Sequence, residues 1–112
     1  MSFTLDAIQF ASGLAQLSVD FQAGCERLTL WMKENPEVRI QIEGHTDNVG
    51  SLASNMALSH DRALAVSKFL TDLGIDAARL ETLGLGPNEP VADNATEEGR
   101  ATNRRVQVNV LE

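Results

Sequence analysis

The chain has 112 residues, 43% of them hydrophobic, a single cysteine and a formal net charge of −7. That length suits one hydrophobic core and predicts a single domain, and the acidic balance sets nucleic acid aside as a partner, because gripping a phosphate backbone takes a basic face to release counterions. No apolar run approaches the ~20 residues of a membrane-spanning helix, and the opening residues carry neither a basic leader nor a cleavable apolar stretch.

Phe3 to Phe10 is apolar and strand-compatible and predicts a first strand, followed by the loop "ASGLAQ". Ser18 stands as the N-cap of a helix in which Phe21, Cys25, Leu28 and Met32 recur at helical spacing, with Trp31 at the edge of that face and Asn35–Pro36 as the stop. Cys25 on this stripe reads as core; with no second cysteine it forms neither a disulfide nor a zinc cluster. Val38, Ile40 and Ile42 alternate with Arg39, Gln41 and Glu43, the period-two pattern of a strand with one wet face. Ser51 caps a second helix with Ala63, Val66, Leu70 and Leu73 as its apolar stripe and Gly74 as its terminator. A "DAARL" turn leads to a strand over Leu80 to Leu85 and then to the surface loop "GPNEPVADN". "TEEGRATN" predicts a turn of helix at most, and Val106, Val108 and Val110 alternate as the last strand. The order predicts an α/β (α+β) two-layer sandwich, βαβαβ(α)β, with two main helices on a mixed four-stranded sheet and the second helix as a right-handed crossover.

The chemistry concentrates in "GHTDNVG", the turn between a strand and the next helix. Open α/β sheets place ligands there, beyond the carboxyl end of a strand at a helix N-terminus. Asp47 stands in the turn, and Asn55, Ser59 and Arg62, four and then three residues apart, share one polar stripe of the following helix. A carboxylate and a guanidinium side by side suit a ligand with both an ammonium and a carboxylate, and the planar fork of arginine can hold two oxygens at once.

"IEGHTDNVGS", "NMALSHDRALAV", "LGLGPNEPVADN" and "GRATNRRVQV", in this order from about "FASGLAQL" to the last strand, resemble the OmpA-like C-terminal peptidoglycan-binding domain, the module of OmpA, Pal lipoproteins and MotB stator proteins. The resemblance implies non-covalent binding of peptidoglycan through the diaminopimelate of its stem peptide. It carries the family's binding aspartate to Asp47, its binding arginine to Arg62 and its asparagine to Asn55, and Thr46 and Asn48 beside Asp47 complete the candidate set. It also implies a periplasmic domain, residues 1–112, cut from a larger envelope protein. The membrane is then reached only through an anchor outside this sequence, and a signal peptide, anchor and linker are expected upstream. A homodimer is among the assemblies it allows.

Blander readings stand beside these. Asp47 as an Asx-turn residue is the commoner role of an aspartate before a helix, and Arg62 alone would be a surface ion-pair partner of little weight. His45 reads as a hydrogen-bonder in the turn and His60 as a solvated helix residue. Strand alternation sends one of Arg104 and Arg105 inward and one outward, one of them anchoring the short helix or a carboxylate at the core edge. "LGLGP" lacks the third glycine and the following helix of a phosphate loop. A metal-dependent hydrolase built on His45, Asp47, His60 and Asp61 is the rival chemistry, weakened because His60 and Asp61 leave the helix on another side than Ser59 and Arg62. An interaction module of the same fold without peptidoglycan binding is the other rival. With no nucleophile–base pair, the expectation is a non-enzymatic binding domain with no cofactor and no metal.

Overall fold

The computed structural model describes residues 2–4 and 19–111. In chain order these form β1 (Ser2–Thr4), α1 (Val19–Glu34), β2 (Arg39–His45), α2 (Leu52–Asp72), a 3-10 turn (Ala77–Arg79), β3 (Leu80–Gly86), α3 (Glu97–Asn103) and β4 (Val106–Leu111). The strands make one mixed sheet in the order β1-β4-β2-β3. β2 and β3 pair in parallel across α2, and β4 runs antiparallel to both β2 and β1. Of the predicted first strand, Ser2–Thr4 is strand; its remainder, the loop "ASGLAQ", the Ser18 cap and the Phe21 side chain lie outside the described residues.

Alternation along β2 and β4 sends Ile40, Ile42, Val106 and Val108 to one face. They are fully buried there against Cys25, Leu28 and Met32 of α1 and Ala63, Val66 and Leu70 of α2, with Trp31 packed at the margin. Leu73 and Val110, expected on these stripes, are half-buried at the ends of their elements.

Local signals set the helix ends. The Ser51 hydroxyl accepts from the Ser54 N–H at 3.1 Å and caps α2. At the far end Gly74, at φ +101°, donates its N–H to Thr71 O, and Ile75 donates to Leu70 O at 3.1 Å. This is the double bond of a Schellman turn, and its apolar contact is made by Ile75 and Leu70, both buried.

α3 corrects the sequence reading: seven residues, two turns, stand where one turn at most was expected. So short a helix is not stable on propensity alone. It forms because Thr96 caps it, Gly99 packs onto the backbone of Asp93, and Asn103 is buried against the loop before it. The Asn103 side-chain oxygen Oδ1 accepts from the Val91 and Ala92 N–H groups, and its Nδ2 donates to Ala92 O and Asn94 Oδ1.

Among the described residues no helix is long and apolar enough to cross a membrane.

Candidate functional site

Beyond His45 the chain leaves β2 and turns into α2. Between that turn and the first three turns of α2 lies a pocket of ≈ 180 Å³, lined by Thr46, Asp47, Val49, Ser54, Asn55, Leu58, Arg62 and Arg104. Four of the five expected site residues, Thr46, Asp47, Asn55 and Arg62, are brought together here. The fifth, Asn48, is exposed and is not among the lining residues.

Close approach of strand and helix makes the polar stripe of α2 an interior feature. Asn55 is 6% exposed, and Ser59 and Arg62 not at all. Ser59 has a structural part: its hydroxyl accepts from the Gly86 N–H of β3 and donates to Met56 O. Asn55 donates to Val49 O at 2.9 Å and so holds the turn onto the helix.

Asp47 takes the role of turn residue and that of charge partner together. One carboxylate oxygen accepts from the Val49 N–H at 3.0 Å, an Asx turn, and the other forms a buried ion pair with Arg104 Nη1 at 2.8 Å. The second amino group of Arg104 reaches Glu97 of α3 at 2.8 Å. Burial works against the Arg104 charge, but its bonds to Glu97 and then to Asp47 outweigh that and hold the guanidinium above its ordinary pKa. Arg62 donates to the backbone carbonyl of His45 at 3.3 Å. Its desolvation, and next the nearby Arg104 charge, push its pKa down to about 10 against the pull of Asp47, so it stays cationic at neutral pH.

Arg104 is the charged pocket residue that the sequence reading did not assign. The expectation that one of the arginine pair anchors the short helix or a carboxylate is met by Arg104, which holds both Glu97 and Asp47. The inward–outward expectation is corrected: Arg104 and Arg105 are 8% and 6% exposed, because both precede β4 and follow the end of α3 rather than strand geometry. Arg105 turns to the loop and donates to Glu89 O at 3.0 Å.

His45 is corrected as well. It is wholly buried, and neither ring nitrogen has a hydrogen-bond partner. Burial, with the Arg105 charge second, pushes its pKa down to about 4. His60 and Asp61 are exposed on α2, and Gly44 rather than His45 faces that helix, so the four residues of the metal-hydrolase reading do not converge. The His45 shift predicts a pH dependence. The unfolded imidazole, near 6.5, binds a proton that the folded one refuses, so stability is full above pH ~6.5 and falls as the pH drops toward 4. The loss should reach on the order of 3 kcal/mol. Urea unfolding at intervals between pH 7 and pH 5, where carboxylates contribute little, checks it; a flat profile in that range would contradict the assignment.

Pocket and fold together define a two-layer α/β domain that presents a buried Asp–Arg–Arg cluster at the end of a central strand. The family model of OmpA matches residues 9–104, and the chain belongs to the OmpA family. It is 43% identical over 91 residues to probable lipoprotein YiaD of Escherichia coli, covering 79% of this chain and 42% of that protein. It is 40% identical over 98 residues to the peptidoglycan-binding protein ArfA of Mycobacterium tuberculosis, covering 88% of this chain and 30% of that one. The peptidoglycan-associated lipoprotein of Burkholderia pseudomallei superposes with a TM-score of 0.89 at 32% identity, over 93% of this chain and 88% of that one. The chain thus spans less than half the length of these curated relatives.

Proposed function

We propose that this domain binds peptidoglycan non-covalently through the diaminopimelate of the stem peptide and tethers a larger envelope protein to the cell wall from the periplasm. The observation that carries the reading is the pocket itself, which sets the buried Arg62 beside Asp47. The similarity to ArfA, a peptidoglycan-binding protein, and to the peptidoglycan-associated lipoprotein of Burkholderia supports it.

In this reading the Arg62 fork takes the carboxylate at the free end of diaminopimelate, and the Asp47 carboxylate takes its ammonium. The Val49 N–H meets one oxygen of that carboxylate and Arg104 the other. Arg104 holds Asp47 in place for the ligand, and its link to Glu97 ties that position to α3. The work is recognition and needs no catalytic group or cofactor.

Pulldown by purified sacculi, with soluble diaminopimelate stem peptide as competitor, tests the reading. Wild type should sediment with sacculi and be released by the competitor. Asp47→Asn, which keeps a side-chain acceptor for the turn, should stay folded and sediment far less. Retention on sacculi that no stem peptide can displace would defeat the proposal, and so would full retention of the Asp47→Asn protein.

A further inference from the structure

The face of the sheet turned away from the two main helices carries polar side chains. Along β2, Ile42 and Gly44 face the helices: Ile42 is in the core and a Cβ at Gly44 would meet Ser59 of α2. Glu43 and His45 alternate with them and therefore share the opposite face. Glu89, from the loop after β3, comes over the same place. One ligand atom from each of Glu43, His45 and Glu89 lies within 4.8 Å of the other two, and this is the one such triad among the described residues.

The imidazole is the unexplained member. His45 is 0% exposed, and both of its ring nitrogens are out of reach of water and without a hydrogen-bond partner. Native interiors rarely leave such atoms unsatisfied, because each forgoes the hydrogen bonds that water would make. Two carboxylates stand at its edge. Glu43, 9% exposed, accepts from the Asn109 amide, and Glu89 is exposed at the outer side. Arg105, the cation nearby, makes no ion pair within 4 Å with either carboxylate and spends its hydrogen bonds on the carbonyls of Asn103 and Glu89.

We propose that Glu43, His45 and Glu89 bind a first-row divalent metal ion of the zinc type, clasping the loop after β3 onto the outer face of the sheet. One imidazole with two carboxylates suits such ions, with water completing a four-coordinate shell, whereas calcium and magnesium prefer all-oxygen sites. Two ligands two residues apart on one strand point the same way, and the third arrives on a loop that can close the remaining gap. The helices and sheet already share a core without the ion, so metal-free protein should be folded and should gain stability on loading.

Calorimetric titration of metal-free protein with ZnCl2, together with the visible spectrum of the Co2+ form, tests the proposal. Wild type should bind one equivalent, and Tm should rise by ~10 °C at a hundredfold excess of free ion over Kd. His45→Gln and Glu89→Gln should each lower the affinity by at least about tenfold, since even residues that only support a metal ligand cost that much when lost. Glu89→Gln lies in an exposed loop and keeps the test decisive should His45→Gln fail to fold. His60→Gln, which removes the other histidine of the chain, should bind as wild type does. Absence of Zn2+ binding by wild type, unchanged affinity in Glu89→Gln, or loss of binding in His60→Gln would overturn the assignment.

Discussion

Arg62→Ala should lose affinity for a diaminopimelate stem peptide by roughly 30-fold to several thousand-fold, which corresponds to about 2–5 kcal/mol for one partner of a desolvated charge pair. The size of the effect comes from the setting of Arg62, buried among Asp47, Asn55 and Arg104 at the wall of the pocket, where a ligand carboxylate deprived of its guanidinium has little water to take in exchange. Arg62→Lys retains the charge but not the planar two-pronged donor, and should impair binding nearly as much. A stem peptide with lysine in place of diaminopimelate keeps the ammonium for Asp47 and offers Arg62 nothing, so it should bind markedly more weakly to wild type. Calorimetry with both peptides on wild type and the two variants, each checked for an intact thermal transition, measures this. Equal affinity of wild type for the two peptides, or undiminished binding by folded Arg62→Ala, would take Arg62 out of the recognition.

Gly44→Ala should cost the fold about 4 kcal/mol or more, near the upper end for single substitutions, and should lower Tm by ~15 °C or leave the protein unfolded. An added Cβ would stand 1.9 Å from the Ser59 carbonyl oxygen, a backbone atom that no rotamer change can move. Relief requires β2 and α2 to part, and that separation would also carry Asp47 away from Arg62, because one sits just beyond β2 and the other on α2. Gly50→Ala offers the comparison. Gly50 sits at φ +93° with nothing within 4 Å of the added carbon, so only backbone strain of about 1 kcal/mol is expected. Thermal melts of the two variants would separate the effects, and a Gly44→Ala protein melting within ~2 °C of wild type would show that the contact can be relieved cheaply.

Much of this architecture is written in short-range pattern. The alternation around Ile40 and Ile42 identified β2, the three- and four-residue spacings identified the buried face of α2, and Ser51 and Gly74 marked its ends, because each depends on residues within about one helical turn or one strand pleat. The same arithmetic put Asn55, Ser59 and Arg62 on one side of the helix and Asp47 in the turn before it, so half of the pocket could be read without coordinates. The other half could not. Arg104 meets Asp47 across 57 positions of chain, and its partner is set by how β4 enters the sheet beside β2. The length of α3 depends on Asn103 at its end, which grips the preceding loop, and on the Arg104–Glu97 bridge rather than on helix propensity. His45 reads as an ordinary turn residue until Glu43, Glu89 and Arg105 surround it and water is shut out. Periodicity reports which way a side chain leaves its own element; which distant charge it then meets, and how much water remains between them, is decided by the packing of whole elements around the core.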